Sequence, residues 1–322
     1  ELAQTDRLWV PEMIYKGWAP FVQLEQRLVD DRLRLSFGGR FENVELEVPD
    51  FTTVAGANNT FVEGGEPSFE ELLGNAGIVF DVTEDLTVFA SYAEGFTMPD
   101  AGLILRGVNI PGQTIDELVD LQPVVADNLE TGINYRRGGL DIAASYFWSD
   151  SDLGSRILVV DGVGQITRQK TEIEGLEVSA AYHFDSGVST GIAYSQLEGR
   201  FDSDGDGSGD KDLDGRNIAP DRINLYVEAP LAANWHGRLQ YSKLLDRDFD
   251  GGLPQHDFDG YSVVDAVVSY RDASLGNFTL GIENLLDEDY ITYYSQTLTY
   301  VNDSTYFAGR GRAVSLGWQK TF

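Results

Sequence analysis

The stretch AGRGRAVSLGWQKTF, residues 308–322, decides the fold class. From Val314 to Trp318 every second side chain is apolar, namely Val314, Leu316 and Trp318, and the side chains between them are small or polar. The same apolar face includes Phe322. This period of two predicts a β-strand with one apolar and one polar face. Such a terminal strand would invite aggregation in a soluble protein, but it suits the closing strand of an outer-membrane barrel.

The same alternation recurs upstream, as in residues 140–148, where Leu140, Ile142, Ala144, Tyr146 and Trp148 share one face. Tight turns alternate with long or tall connections, of which the first two run over about residues 42–75 and 96–124. Residues 114–121 in the second connection are predicted to form a short helix. We count about 13 strands, which predicts an all-β, antiparallel, up-and-down transmembrane barrel with short periplasmic turns and long outer loops.

Aromatic residues recur beside the tight turns, on the apolar faces of the strands. They are Phe184, Trp235, Tyr270, Phe278 and Trp318. Aromatic rings with a polar edge are enriched where a membrane meets water, so we expect these five to form a girdle at the periplasmic interface.

Composition excludes several classes of function. The chain has 23 basic and 53 acidic side chains, and a net charge of −30 argues against binding to nucleic acid. Cysteine is absent, which rules out disulfides, thiolate metal sites and a cysteine nucleophile. No apolar run reaches the roughly 18 residues of a transmembrane helix. A mean hydropathy of −0.23 does not argue against a barrel, because alternating faces cancel in the average.

The strand count also bears on domain organisation. An odd number of strands would close with a parallel seam, whereas bacterial single-chain barrels have even numbers. The sequence shows no signal peptide at Glu1. We therefore expect residues 1–322 to be the C-terminal portion of a larger barrel whose N-terminal strands are absent from this chain.

Several motifs carry a family resemblance. FASYAEGF at residues 89–96, NLETG at 128–132, IEGLE at 173–177, GIENLLD at 281–287 and GRGR at 309–312 resemble the barrel of TonB-dependent receptors in their order. YYSQ at 293–296, followed by YFAGRGR at 306–312, is most similar to the siderophore-receptor branch, near ferric aerobactin-type receptors. Lys320 departs from the apolar or aromatic residue usual at that position.

The resemblance implies a barrel of about 22 strands around a plug. Residues 1–322 would then lack the plug domain and the region that engages the TonB complex. It further implies location in the bacterial outer membrane, among lipid and lipopolysaccharide, and uptake of a ferric siderophore as the transported ligand. No cofactor would be required.

A bulky, polar and often anionic ligand calls for aromatic and arginine side chains near the outer mouth. The candidates are Arg106 in the second long connection and Tyr293, Tyr294, Arg310 and Arg312 around the last one. The competing interpretation is that these arginines pair with acidic groups on neighbouring strands, which is the usual fate of charges inside barrels.

The densest acidic stretch is DSDGDGSGDKDLDG, residues 202–215. Its first half has the D-x-D-x-D-G spacing of a calcium loop, and its candidate ligands are Asp202, Asp204, Asp206, Asp210, Asp212 and Asp214. Leu213 stands where an EF-hand has its bidentate Glu, and no flanking helices are predicted. A solvated outer loop without a bound ion remains the alternative.

Catalysis has little support in the sequence. The three histidines are His183, His236 and His256, and no G-x-S-x-G elbow is present. We predict a non-enzymatic transport protein. The alternatives are a passive porin-like channel, a secreted calcium-dependent all-β binding module or adhesin, and an outer-membrane esterase.

Overall fold

The structure is a computed structural model that describes residues 9–118, 121–160, 163–249, 257–297 and 307–321. Most of these residues belong to β-strands joined by turns and irregular connections. The strands are β1 (Ile14–Trp18), β2 (Phe21–Leu28), β3 (Leu33–Glu47), β4 (Phe51–Thr52), β5 (Phe61–Val62), β6 (Ser68–Asp81), β7 (Leu86–Thr97), β8 (Val124–Arg137), β9 (Leu140–Val160), β10 (Val163–His183), β11 (Ser189–Phe201), β12 (Lys211–Asp212), β13 (Arg222–Ala232), β14 (Trp235–Leu244), β15 (Tyr261–Asp272), β16 (Gly276–Glu283) and β17 (Ala313–Gln319). The helices are α1 (Ala101–Gly107) and α2 (Tyr293–Thr297).

Within the described residues, one large antiparallel sheet runs in the order β1-β3-β6-β7-β8-β9-β10-β11-β13-β14-β15-β16-β17. β1 and β2 pair with the same strand, β3: β1 with its C-terminal part, residues 43–47, and β2 with its N-terminal part, residues 33–40. They therefore act as one strand interrupted at Ala19 and Pro20, where proline lacks the N–H that a ladder needs. The path contains 13 strands, which confirms the predicted count and the up-and-down order.

The two faces of the sheet differ as the alternation predicts. The pairing register aligns Trp235, Tyr270, Phe278 and Trp318 in one row across β14 to β17. Neighbouring ring centroids in this row are 4.9, 6.4 and 6.5 Å apart. Phe184 is also exposed on this side, with its ring 4.5 Å from that of Tyr182. The predicted aromatic girdle is present beside the tight turns.

The opposite, polar face is concave. Residues from seven successive strands of the path, β7 to β14 without β12, line a single hollow of about 980 Å³. Its walls carry Arg136, Asp141, Asn224 and Arg238 among others. We call this side the luminal face and the apolar side the outer face.

Tight turns close the hairpins at one end of the sheet. Val29, Asp30 and Asp31 all adopt positive φ, at 54°, 52° and 66°. Gly276 has a φ of 95°, and a Cβ there would collide with the carbonyl oxygen of Gln319 on β17. Glycine is therefore required where the last tight turn enters β16.

The long connections differ from expectation in detail. The first is shorter than predicted, because β3 continues to Glu47 and β6 begins at Ser68. The described part of predicted helix 114–121 contains the 3₁₀ turn Ile115–Glu117 and no α-helix, whereas the sequence does not predict α1 and α2. Short helices depend on tertiary packing rather than on local propensity. The hairpin tip at Asp161–Gly162, as well as Phe322, lies outside the described residues.

None of the helices within the described ranges has the length and apolar character needed to span a membrane.

Candidate functional site

The first two outer connections fold over the luminal face and pack together. In α1 the side chains of Ala101, Ile104 and Leu105 form one buried stripe. The Asp100 carboxylate caps the helix by accepting a 2.9 Å hydrogen bond from the Leu103 N–H. The stripe packs against Leu46, Val48, Val62, Ile115 and Leu121, all at most 3% exposed. We call these buried residues the mouth core. Full burial of a large aliphatic side chain contributes about 1.5–3 kcal/mol, so the mouth core holds both connections in place.

Beside the mouth core lies a pocket of about 420 Å³ that contains one predicted ligand residue, Arg106. The guanidinium carbon of Arg106 lies 4.8 Å from the ring centroid of Trp9. Phe51 and Phe61 also line the pocket, together with the carboxylates of Glu12 and Asp50. Trp9 and Phe61 remain 63% and 58% exposed, so flat apolar surface and a fixed cation face the same space.

The later outer connections form a second cluster on the luminal side. Phe201, Leu213 and Ile218 pack together, each 3% exposed. Tyr293, the first residue of α2, donates its hydroxyl hydrogen bond to the Ile218 carbonyl oxygen, and its ring stands edge-on to Phe258 at 4.7 Å. Burial raises the pKa of Tyr293. The tyrosine is therefore a neutral strut between two connections.

The remaining predicted ligand residues are distributed over separate positions. Tyr294 is 72% exposed, beside the buried Tyr293. Arg310 pairs with Glu283 at 3.6 Å, and Arg312 donates a 2.9 Å hydrogen bond from Nε to the Leu285 carbonyl oxygen. Arg310 thus has the acidic partner that the competing interpretation expects. No contact joins Arg106 to these four residues in the described part of the chain, and the role of all five in ligand binding stays a prediction.

Three of the six predicted calcium ligands converge. Asp202, Asp204 and Asp206 each offer a carboxylate oxygen within 4.8 Å of the others. The Asp202 carboxylate also accepts hydrogen bonds from the backbone N–H groups of Gly207 and Gly205, at 2.8 and 2.7 Å. These donors, Gly207 first, lower the pKa of Asp202. These hydrogen bonds therefore favour the charged form of Asp202 and fix the orientation of its carboxylate.

The other three aspartates have different partners. Asp210 accepts hydrogen bonds from the hydroxyl and the backbone N–H of Ser203, which lower its pKa in that order. Asp212 lies 4.0 Å from Arg200, and Asp214 forms a buried ion pair with Arg216 at 3.2 Å. The structure does not bring these three to the carboxylate group of Asp202, Asp204 and Asp206.

One arrangement contains the residue types of a Ser-His-Asp triad, at the tight-turn end of the strands. His183 Nδ1 lies 2.9 Å from the Ser189 Oγ, and His183 Nε2 lies 3.5 Å from Asp141. Asp141 is also paired with Arg136. These residues sit beside the tight turns, at the far end of the strands from the mouth. His236 pairs with Glu228 at 3.5 Å at the same rim, and His256 lies outside the described residues.

Sequence reasoning missed the aromatic residues that line the pocket with Arg106. Trp9, Phe51 and Phe61 lie before β1 or in the first connection, far from Arg106 in sequence. Their placement outside the long alternating strands was the available signal. Nothing local indicates which cation an aromatic residue in a loop will meet.

Comparison with known proteins assigns the family. Residues 5–285 match the family described as TonB dependent receptor-like, beta-barrel. The chain belongs to this family. A TonB-dependent receptor barrel lies in the outer membrane of Gram-negative bacteria, which confirms the predicted fold class and location. Family membership does not favour a passive porin or a secreted binding module.

Two receptors illustrate the relationship in sequence. The chain is 25% identical over 322 residues to the ferric aerobactin receptor of Klebsiella pneumoniae, covering 91% of this chain and 43% of that protein. It is 22% identical over 329 residues to the rhizobactin receptor of Rhizobium meliloti, covering 91% and 42%. The chain thus spans less than half the length of these relatives.

Solved structures show the same barrel fold. The copper transporter OprC superposes with a TM-score of 0.78 at 17% identity, covering 94% of this chain and 48% of that one. The ferric yersiniabactin uptake receptor FyuA from Yersinia pestis gives 0.69 at 19% identity, covering 94% and 45%.

Proposed function

We propose that this chain is the C-terminal portion of the barrel of an outer-membrane receptor that takes up a ferric siderophore. The single observation that carries the proposal is the pocket beside the mouth core, where the Arg106 guanidinium lies over the Trp9 ring and Phe51 and Phe61 line the same space. A metal chelate with flat organic ligands and polar edges matches such a lining. The names of the ferric aerobactin and rhizobactin receptors support the same ligand class.

The proposal has a structural rationale in the inward-folded connections. They hold the pocket at the outer mouth, so a ligand would meet it before reaching the lumen. Energy coupling to a TonB complex would involve parts of the receptor beyond residues 1–322, including a plug within the barrel. The role is transport, without a catalytic step.

The test is growth of an iron-starved strain that carries or lacks the intact gene, on a panel of ferric siderophores. We expect gene-dependent growth on at least one of them. A matched pair of variants, Arg106→Gln and Arg137→Gln, separates the mouth from the tight-turn rim, where Arg137 lies 3.8 Å from Asp85. Growth should fall with Arg106→Gln only. Equal growth with and without the gene on every siderophore would refute the iron assignment.

We further propose that the loop of residues 202–210 binds calcium through Asp202, Asp204 and Asp206. Their convergence within 4.8 Å supports this role. Asp210, Asp212 and Asp214, the other predicted ligands, would have to leave their present partners to join them. Calcium should protect the 202–210 loop of the intact receptor from proteolysis, and Asp204→Asn should weaken that protection. Identical cleavage with calcium and with chelator would refute a calcium site.

A further inference from the structure

The luminal wall between β7 and β14 borders a continuous open space along the sheet. The large hollow of about 980 Å³ adjoins a smaller one of about 380 Å³. Five residues line both hollows, namely Asn134, Ala143, Ser179, Ala193 and Asn224. We call the two adjoining hollows the wall groove. Each hollow has the volume of a small-molecule site, which is typically about 300–1,000 Å³.

Aromatic side chains of this wall lie against glycines of the neighbouring strand. The pairing register places Phe89 opposite Gly132, Phe147 opposite Gly175 and Tyr226 opposite Gly191. A Cβ on these glycines would come within 2.6, 2.3 and 2.6 Å of the respective rings. Each ring therefore covers the bare backbone of its glycine and stays close to the wall, where any larger residue would push it toward the lumen.

Long polar side chains at one margin of the wall groove are held in a similar way. The Arg238 guanidinium carbon lies 4.6 Å from the ring centroid of Tyr226. Arg238 also donates hydrogen bonds to Gln240 at 3.0 Å and to Glu228 at 3.4 Å. Gln240 in turn donates to the Ser242 hydroxyl at 3.4 Å. Because each of these side chains has several partners, the wall groove does not depend on the rotamer of a single residue.

The lining of the smaller hollow is polar and mostly neutral. Hydroxyl and amide groups come from Asn134, Ser145, Ser179, Ser195 and Asn224. Among the described residues that line this hollow, Glu177 is the only charged one. Hydroxyls and amides both donate and accept hydrogen bonds, and neutral hydrogen bonds are weaker than charge-assisted ones. Such a surface suits a polar ligand that must move on, because passage requires binding weak enough for release.

The wall groove differs from a surface built to hold a protein segment. Protein interfaces are enriched in aromatic and arginine side chains that reach into the partner. Here Phe89, Tyr226 and Arg238 lie along the wall instead, and the residues between them are small. This arrangement favours a small polar occupant over a permanently seated segment of protein.

We propose that the ferric chelate taken up by the receptor crosses the barrel along the wall groove, in contact with β8 to β11, and that Ser179 lies on this route. The inference rests on the proposed function and adds which part of the luminal wall the cargo follows. A segment of the receptor seated in the wall groove is the competing occupant, and the test distinguishes the two.

A matched pair of cysteine variants of the intact receptor tests the route. Ser179→Cys and Ser315→Cys make the same change at two exposed luminal positions, and Ser315 is on β17, outside both hollows. Residues 1–322 contain no cysteine, and any cysteine elsewhere in the receptor is common to both variants. A bulky, water-soluble methanethiosulfonate is attached after assembly in the outer membrane, so that folding precedes the change. Initial uptake of radiolabelled iron, supplied as the siderophore that gives gene-dependent growth, is measured before and after attachment.

We expect attachment at Ser179→Cys to slow uptake about tenfold or more, because the added group fills the space that the chelate crosses. Reduction of the mixed disulfide should restore the rate. Attachment at Ser315→Cys should leave the rate unchanged. Siderophore affinity and heat-modifiable migration should stay the same in both variants, which separates a blocked route from a damaged mouth or a misfolded barrel. Ser195→Cys repeats the test one strand away if Ser179→Cys does not assemble.

Three results would overturn the proposal. One is an unchanged uptake rate after attachment at Ser179→Cys has been verified by mass. Another is failure of the reagent to reach that thiol in the folded receptor, which would show a protein segment seated in the wall groove. The third is an equal loss of uptake in both variants. Each of these leaves siderophore uptake intact, whereas the proposed function fails when no ferric siderophore gives gene-dependent growth.

Discussion

The wall of the barrel and its outer mouth are built on different principles. In the wall, the outer face is rich in apolar residues and the luminal face in polar ones, and the row from Trp235 to Trp318 aligns four aromatic residues across four neighbouring strands. At the mouth, two clusters form from connections that are distant in sequence, around Leu105 and around Phe201. The membrane determines the structure of the wall, whereas side-chain packing determines the structure of the mouth.

The largest expected effect tests the two faces of the wall. Ile282→Arg places a charge on the outer face, in the row with Ala266 and Val314, and should destabilise the barrel by about 2–4 kcal/mol in lipid. Thr279→Arg, on the luminal face of the same strand, should change stability by less than about 1 kcal/mol. Urea unfolding of the intact receptor in vesicles measures both. Equal losses would contradict the assignment of the two faces.

The mouth core should respond to loss of volume instead. Leu105→Ala removes a fully buried side chain and should cost about 2–3 kcal/mol, at the lower end for such changes because the connections can relax. The loss should be local, with faster hydrogen exchange in residues 101–107 and an unchanged wall. Ile110→Ala is the control, since Ile110 is 59% exposed in the same connection. A matching effect of both variants would show that α1 is not packed as described.

A smaller loss of stability is expected at the hydrogen bond between Tyr293 and Ile218, which joins two outer connections. Tyr293→Phe removes the hydroxyl that bonds the Ile218 carbonyl and should loosen residues 214–218 by about 0.5–1.5 kcal/mol. Tyr294→Phe should have no effect, because that side chain is exposed. Hydrogen exchange of the Leu213–Ile218 segment reports the difference. Identical exchange in both variants would remove Tyr293 from its role as a strut.

The smallest effect concerns acidity in the 202–210 loop. The lowered pKa values of Asp202 and Asp210 mean that their contribution to loop order is present above the ordinary aspartate pKa, near about 4, and is lost as the pH falls further. Peptic cleavage in this loop should therefore increase below about pH 4 while the wall resists. Asp202→Asn should be cleaved at higher pH than the wild type. A cleavage profile without such a shift would contradict the hydrogen bonds assigned to Asp202.

Much of the wall could be predicted from the sequence alone. Alternation in residues such as Val314, Leu316 and Trp318 is a local property, because successive side chains of a strand point to opposite faces. The strand count, the tight turns and the aromatic girdle followed from that periodicity. The ends of β3 and β6 did not, since hydrogen bonding continues past the membrane into residues whose pattern is already irregular.

The structure of the mouth could not be predicted from the sequence, for a physical reason. Arg106, a predicted ligand residue, lines the mouth pocket, but its contact with Trp9 depends on how residues almost one hundred positions apart are folded back. The acidic loop showed the same division. Its first three aspartates are close in sequence and converge, whereas Asp214 forms an ion pair with Arg216 instead.

For this protein, the sequence determined the strands, their alternating faces and their family, because each depends on side chains close together along the chain. Only the tertiary structure decided which outer connections meet, which tyrosine is buried and which aromatic ring Arg106 contacts. Those outcomes depend on contacts between distant segments, and the packing of distant segments has no periodic signature in sequence.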